Sequence, residues 1–306
     1  MLNGLLTIGE LDEKTLNNMF TLSARLKRER GTVEYKPLQG KVIAMIFAKS
    51  STRTRVSFET GIHELGGYAM YLEQGKMQVG RGETMADTAR VLERYIHGIV
   101  IRTYNHQDVV DLAKYSHLPV INALTDSFHP CQALADLFTM LEHSGKLQGL
   151  KMTYVGDGNC NMANSLMLAA KLAGMELTIA SPEEFQPDQE IFHRKFGTGT
   201  VRWEKDPLKA VCGADYIYTD VWVSMGFESE TEKRLRLLSP YQVNRTLVDA
   251  ASPKVKILHC LPAHRGEEIT DDVMDSKNSI VFDQAENRLH VQKAILAMIF
   301  DKNLQF

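Results

Sequence analysis

A chain of 306 residues, 44% of them hydrophobic and 24% charged, exceeds the size at which a single core keeps growing, roughly 250 to 300 residues, so two domains are expected. Its 35 basic and 38 acidic residues give a formal net charge of -3, which argues against nucleic acid or an anionic membrane surface as partner. No run of about 18 apolar residues occurs, and the opening MLNGLLTIGELDEKTLNNMF mixes acids among its apolar residues unlike a secretory signal, so a cytoplasmic, unanchored protein is expected.

Short apolar, β-branched runs alternate with amphipathic stretches, the pattern of an α/β protein with mainly parallel sheets flanked by helices. The first strand, KVIAMIF (41–47), stops at AKSSTRTRVSFETG. There Ser51, Thr52, Arg53 and Thr54 precede a helix whose buried face is Phe58, Ile62 and Leu65 and which closes at Gly66 and Gly67. Such a helix start offers unpaired N–H groups, hydroxyls and a guanidinium fork, a cradle for phosphate. The plainer alternative is an ordinary Ser/Thr N-cap with two solvated arginines. No G-x-x-x-x-G-K-[ST] loop is present.

Strands follow at GYAMYL (67–72), GIVIRTY (98–104) and PVINAL (119–124). Arg102 ends an apolar strand, where it either reaches water or serves a site. His129 and Gln132 open the helix of FHPCQALADLF, which carries Leu134, Leu137, Phe138 and Leu141 on one face. A neutral imidazole and an amide can donate to a developing oxyanion; the alternative is a helix-entry turn with Pro130 near N1. The helix ends at Gly145, and HSGKLQGLK marks the boundary between two α/β units.

In the second half, strands are expected at KMTYVGD (151–157), MELTIAS (175–181), TVRWEK (200–205), ADYIYTD (214–220), KVKILHCL (254–261) and SIVFDQAE (279–286), with a final helix from about 288. VGDGNCNMANSL resembles a dinucleotide-binding turn, yet Asn161 stands at the third glycine of G-x-G-x-x-G and the next strand ends in Ser181-Pro182, not in an acid. Asp220 ends a strand and precedes a polar loop with Ser224 and Gly226, able to meet an ammonium and a carboxylate; a capping acid and a surface turn are the alternative. His259 and Cys260, adjacent on an expected strand, should point to opposite sides, a poor metal pair and a poor nucleophile-base pair. Cys131, Cys160, Cys212 and Cys260 are widely spaced with no C-x-x-C, so free thiols are expected.

SSTRTRVSFE, HPCQALADL, DVWVSMG and HCLPAHRGEEI, in this order over nearly the whole length, resemble the ornithine branch of the aspartate/ornithine carbamoyltransferase family. S-T-R-T-R and H-P-x-Q mark the family, and S-M-G with H-C-L-P marks that branch. The resemblance implies a carbamoyl-phosphate-binding domain over 1–146, onto which a C-terminal helix of about 288–306 packs back, and an ornithine-binding domain over 147–287, with the active site in the cleft between them. It implies transfer of the carbamoyl group from carbamoyl phosphate to the δ-amine of L-ornithine, giving citrulline and phosphate without metal or organic cofactor.

By the same resemblance, Ser51, Thr52, Arg53 and Thr54 bind the phosphate. Thr54, Arg102, His129 and Gln132 surround the carbamoyl group, and Arg288 is a further ligand. Gln78 reaches the site of a neighbouring subunit in a trimer or a multiple of trimers. Asn161, Asp220, Ser224, Met225, Cys260 and Leu261 bind ornithine. Arg102, His129 and Cys260 stand nearest the chemistry, with Cys260 orienting the amine. Three readings remain beside this one: a carbamoyltransferase for putrescine or an acylated ornithine, a non-catalytic relative, and an oxidoreductase built on GDGNCN.

Overall fold

The computed structural model describes residues 2–78, 82–223 and 228–306. The chain forms two compact units, residues 1–134 with 286–306, and residues 135–285.

In the first unit, α1 (Glu13–Arg28) precedes β1 (Val42–Phe47), α2 (Thr52–Glu64), β2 (Tyr68–Glu73), α3 (Met85–Leu92), β3 (Gly98–Arg102), α4 (His106–Tyr115), β4 (Val120–Leu124) and the start of α5 (Pro130–Ser144). The four strands are parallel in the order β2-β1-β3-β4. Ile46, Ile99, Ile101, Val109, Leu112 and Val120 lie in one buried cluster of its core. Because β2 lies to one side of β1 and β3 to the other, the strand order reverses between β1 and β3. Ligands of parallel sheets gather beyond the carboxyl ends of the strands at such a reversal, and here those ends lead into Ser51 and Arg102.

Both edges of this sheet are distinctive. Along β4, Leu5 adds a backbone bridge to Ile121: Leu5 N donates to Val120 O and Asn122 N to Leu5 O, both at 2.8 Å. Gly4 makes this approach possible, since a Cβ there would stand 2.7 Å from the Val120 oxygen. On β2, Tyr68 and Met70 are exposed.

The second unit continues with β5 (Lys151–Val155), α6 (Asn161–Leu172), β6 (Glu176–Ala180), α7 (Gln189–His193), β7 (Thr200–Glu204), α8 (Pro207–Val211), β8 (Tyr216–Thr219), α9 (Thr231–Leu238), α10 (Arg245–Asp249), β9 (Lys256–His259) and α11 (Asp271–Met274). Its parallel sheet has the order β7-β6-β5-β8-β9, so the reversal falls between β5 and β8, whose ends lead into GDGNCN and Asp220. Lys171, buried near the end of α6, donates to the carbonyls of Ile191, Phe192 and Arg194 at 2.7, 2.9 and 2.8 Å, completing the carboxyl end of α7.

One expected element is corrected. Residues 279–286 are not a strand: Ser279 makes an isolated bridge to Ile257, and α12 (Val281–Phe300) starts two residues later. Val281, Gln284, Asn287 and Arg288 are buried while Phe282 is exposed, a helical period that so short an apolar run does not disclose. The last helix therefore begins earlier than position 288.

Candidate active site

The expected residues fall into two sets, one in each unit. In the first unit, Ser51 caps α2, its Oγ accepting from Thr54 N at 3.3 Å. The plain cap of the alternative reading is therefore present, and an N-cap of this kind satisfies only part of the first-turn N–H groups. The two arginines of this stretch part company. Arg53 is half-buried in the first turn, whereas Arg55 bonds Glu59 at 2.9 Å and covers the Tyr71 ring at 3.8 Å.

Thr54 is fully buried, and its hydroxyl accepts from Arg102 Nη1 at 3.4 Å and from Arg288 Nη2 at 2.7 Å. Arg102, at 7% exposure, is no strand-end residue reaching water. Two guanidinium groups converging on one buried hydroxyl repel each other, and an anion beside them relieves that repulsion.

His129 and Gln132 are buried at the start of α5. A turn in which Phe128 N donates to Thr125 Oγ1 at 3.1 Å sets the approach, and the His129 carbonyl accepts from Gln132 N and Ala133 N, both at 3.2 Å. Burial, reinforced by the cations of Arg288 and Arg102, holds the His129 imidazole well below the usual histidine range. It is a neutral ring among cations, a donor that brings no full charge of its own. Gln78 lies exposed on the segment after β2, unlike these buried groups.

In the second unit, Asn161 is the first residue of α6. Cys160 caps that helix, accepting from Ala163 N at 3.4 Å, and burial pushes its thiol up to about 12. Asp220, beyond β8, is 8% exposed. Its Oδ1 accepts from Val221 N and from the Cys260 thiol, both at 2.8 Å. Burial raises its pKa, offset in part by His259 and by the Cys260 bond. Ser224 and Met225, with Gly226, lie outside the described residues.

The expectation that His259 and Cys260 diverge fails, because β9 ends at His259 and strand alternation does not reach Cys260. Leu261 takes a left-handed φ of 58°, rare for a bulky residue. Its N–H donates to His259 Nδ1 at 2.9 Å, which leaves Nε2 as the protonated nitrogen, facing Glu268 Oε1 at 3.0 Å. Glu268 also accepts from His264 N. The strained residue thus sits where a ring and a carboxylate over-determine the backbone.

Among the described residues, Asp220, His259 and Cys260 each offer a ligand atom within 4.8 Å of the others, as do His264, Glu267 and Glu268. In the first set the thiol is committed to Asp220 and the imidazole to Leu261 and Glu268, so the groups already form a hydrogen-bonded network.

Three buried groups were not singled out from sequence. Lys49, whose Nζ lies 3.9 Å from the centre of the Tyr104 ring, was signalled only by its place in FAKSSTRTR. Glu268 stands within HCLPAHRGEEI. Arg234, in TEKRLRLL, reads as a solvated helix face.

The chain matches the carbamoyl-P binding domain of aspartate/ornithine carbamoyltransferase over residues 3–142 and the Asp/Orn binding domain over residues 148–299. It is 55% identical over 270 residues, 87% of this chain and 85% of the other, to the ornithine carbamoyltransferase of Thermococcus kodakarensis. It is 54% identical, with the same coverage, to the anabolic ornithine carbamoyltransferase of Pyrococcus furiosus. The solved structure of the ornithine carbamoyltransferase from Pyrococcus furiosus superposes with a TM-score of 0.94 at 48% identity, covering 99% of this chain and 98% of that one. Two parallel-sheet units with a buried cationic corner in one and a thiol-carboxylate pair in the other agree with these matches, and the chain belongs to the aspartate/ornithine carbamoyltransferase family.

Proposed function

We infer that this chain is an ornithine carbamoyltransferase, forming citrulline and phosphate from carbamoyl phosphate and L-ornithine. The observation that carries the reading is the convergence of Arg102 and Arg288 on Thr54 beside a neutral His129. Ser51, Thr52, Arg53 and Thr54 take the phosphate, with Arg288 as a further ligand. Arg102, His129, Thr54 and Gln132 surround the carbamoyl group.

In the reaction, the deprotonated δ-amine attacks the carbamoyl carbon, a C–N bond forms, and the carbonyl oxygen gains negative charge. The C–O bond to phosphate then breaks, phosphate leaves with the electron pair, and the proton given up by the amine nitrogen goes to the departing phosphate. Donors set in advance around that oxygen and the departing phosphate lower the barrier. Asn161, Asp220, Cys260 and Leu261 take the amino acid, together with Ser224 and Met225. The thiol bound to Asp220 is placed to orient the amine and needs no covalent step.

Gln78 acts in a neighbouring subunit of a trimer. Its exposure supports this, as do the exposed Tyr68 and Met70 on the edge strand β2 and Val56 on α2: an edge bearing apolar side chains is a surface that association covers. No helix among the described residues is long and apolar enough to cross a membrane; the free thiols of Cys131, Cys160, Cys212 and Cys260 support a reducing, cytoplasmic setting. The anabolic relative supports a biosynthetic role.

The deciding experiment measures carbamoylation by the wild type and by Arg53→Ala with ornithine, putrescine, aspartate and N-acetylornithine in parallel. Rapid turnover with ornithine alone, lost in the variant, is expected. Preference for another amine would overturn the ornithine assignment, and no turnover with any of them would overturn the activity.

A further inference from the structure

Arg234 on α9 has a side chain only 6% exposed. Its Nη1 donates to Asp157 Oδ2 at 2.7 Å and to the Trp222 carbonyl at 3.3 Å, and its Nε donates to Glu230 Oε2 at 3.0 Å. The guanidinium carbon lies 4.9 Å from the centre of the Phe185 ring. One planar fork thus touches groups from separate segments of the unit.

Two of these segments lead directly to the amino-acid residues. Asp157 belongs to the turn after β5, where its Oδ1 accepts from Asn159 N at 2.9 Å, two residues before Asn161. Trp222 stands two residues beyond Asp220 and packs in a small core with Phe185 and Leu238. Its indole lies 3.8 Å from where a Cβ on Gly156 would stand, so it closes against the same turn. These segments leave β5 and β8, the two strands that border the reversal of strand order.

A buried ion pair is a costly way to stabilise a unit, because desolvation takes back much of the attraction and apolar replacements often do as well. A rigid fork that satisfies a carboxylate and a carbonyl in different loops instead fixes their geometry, which lysine's point charge does less well. We propose that Arg234, through Asp157 and Trp222, is a positioning residue that holds the Asn161 turn and the Asp220 segment in register to receive the amino-acid substrate. This rests on the assignment of these two residues to ornithine. Arg234 itself touches none of the reacting atoms.

The test compares wild type, Arg234→Gln, Arg234→Lys and Asp157→Asn. Ornithine and carbamoyl phosphate are varied separately, carbamoyl-phosphate affinity is measured by calorimetry, and thermal unfolding is followed in parallel. Arg234→Gln is expected to raise the ornithine KM about tenfold or more, with carbamoyl-phosphate affinity within about twofold of wild type and Arg234→Lys intermediate. Should Arg234→Gln fail to fold, Arg234→Lys and Asp157→Asn carry the same comparison. An ornithine KM within about twofold of wild type, or equal weakening of both substrates in step with lost stability, overturns the positioning role. Wild-type turnover separates the levels: citrulline formed normally with an unmoved variant KM removes this inference alone, and none formed from ornithine removes the assignment beneath it.

Discussion

Thr54 and Arg288 stand 234 residues apart in the chain and share a 2.7 Å hydrogen bond. The acceptor is the hydroxyl that Arg102 also reaches, so one oxygen organises both guanidinium groups of the corner. Thr54→Val removes that oxygen with little change of shape. A fall in kcat of roughly 100- to 1,000-fold with weaker carbamoyl-phosphate binding is expected, and Thr54→Ser should recover most of it. Steady-state kinetics on the three proteins would show the role to be wrong if the valine variant turned over like wild type.

The thiol-carboxylate pair ties stability to function. Folding raises the Asp220 pKa from its ordinary 3.8, mainly by burial. Its contribution to stability is therefore fully present below about pH 3.8 and is lost as pH rises through the higher folded value. Asp220→Asn should raise the unfolding temperature at neutral pH while weakening ornithine binding. Cys260→Ala, which removes a donor to the carboxylate, should shift the acid limb of kcat/KM for ornithine upward, and Cys260→Ser should shift it less. Melting curves and pH-rate profiles check both.

His129 has the opposite sign. Its folded pKa lies well below the ordinary 6.5, so the unfolded chain binds the extra proton and stability falls as pH drops below about 6.5. His129→Gln should flatten the decline of melting temperature between about pH 7 and 5.5 relative to wild type. In the wild type, the acid limb of kcat should not follow titration of this ring. Differential scanning calorimetry across the range measures the first effect and rate profiles the second.

Lys171 supplies a control in which stability moves without chemistry. Its ammonium satisfies three carbonyls, and Lys171→Met leaves them without that donor. A loss of about 2 to 4 kcal/mol is expected, since hydrogen bonds to charged groups contribute more than neutral ones. KM and kcat of the folded fraction should stay near wild type, as urea unfolding and kinetics would report.

If Gln78 serves a neighbouring subunit, Gln78→Ala and Arg102→Ala should each be nearly inactive alone but complement when subunits are unfolded and reassembled together. Random trimers would hold about a quarter of their sites intact. Activity that fails to return in verified mixed trimers would place Gln78 outside the shared site.

Local features were the legible ones. The capped helix start after β1 could be read because strand, cap and first turn lie within eight residues, and the sheets because apolar runs alternate with helical periods. The misread 279–286 segment shows the limit: Ser-Ile-Val-Phe fits a strand or a helix, and burial at 281, 284 and 288 decides it only in three dimensions. His259 and Cys260 were set apart by an alternation that stops one residue too soon. Arg288 was visible through resemblance alone. Arg234 was not visible as a buried group, because its buried partner Asp157 lies 77 residues away, while its pairing with Glu230, four residues earlier, has the spacing of an ordinary solvated helix pair.

The bridge from Leu5 to β4 bears on how this protein is handled. Leu5 fills hydrogen-bonding positions on the outer side of β4, and the Asn122 side chain secures the same segment by donating to the Leu6 carbonyl at 3.0 Å. Trimming residues 2–6 would bare a strand edge able to template pairing with another molecule. Precipitation on concentration would then arise from an uncovered ladder, with the chemistry of the site untouched.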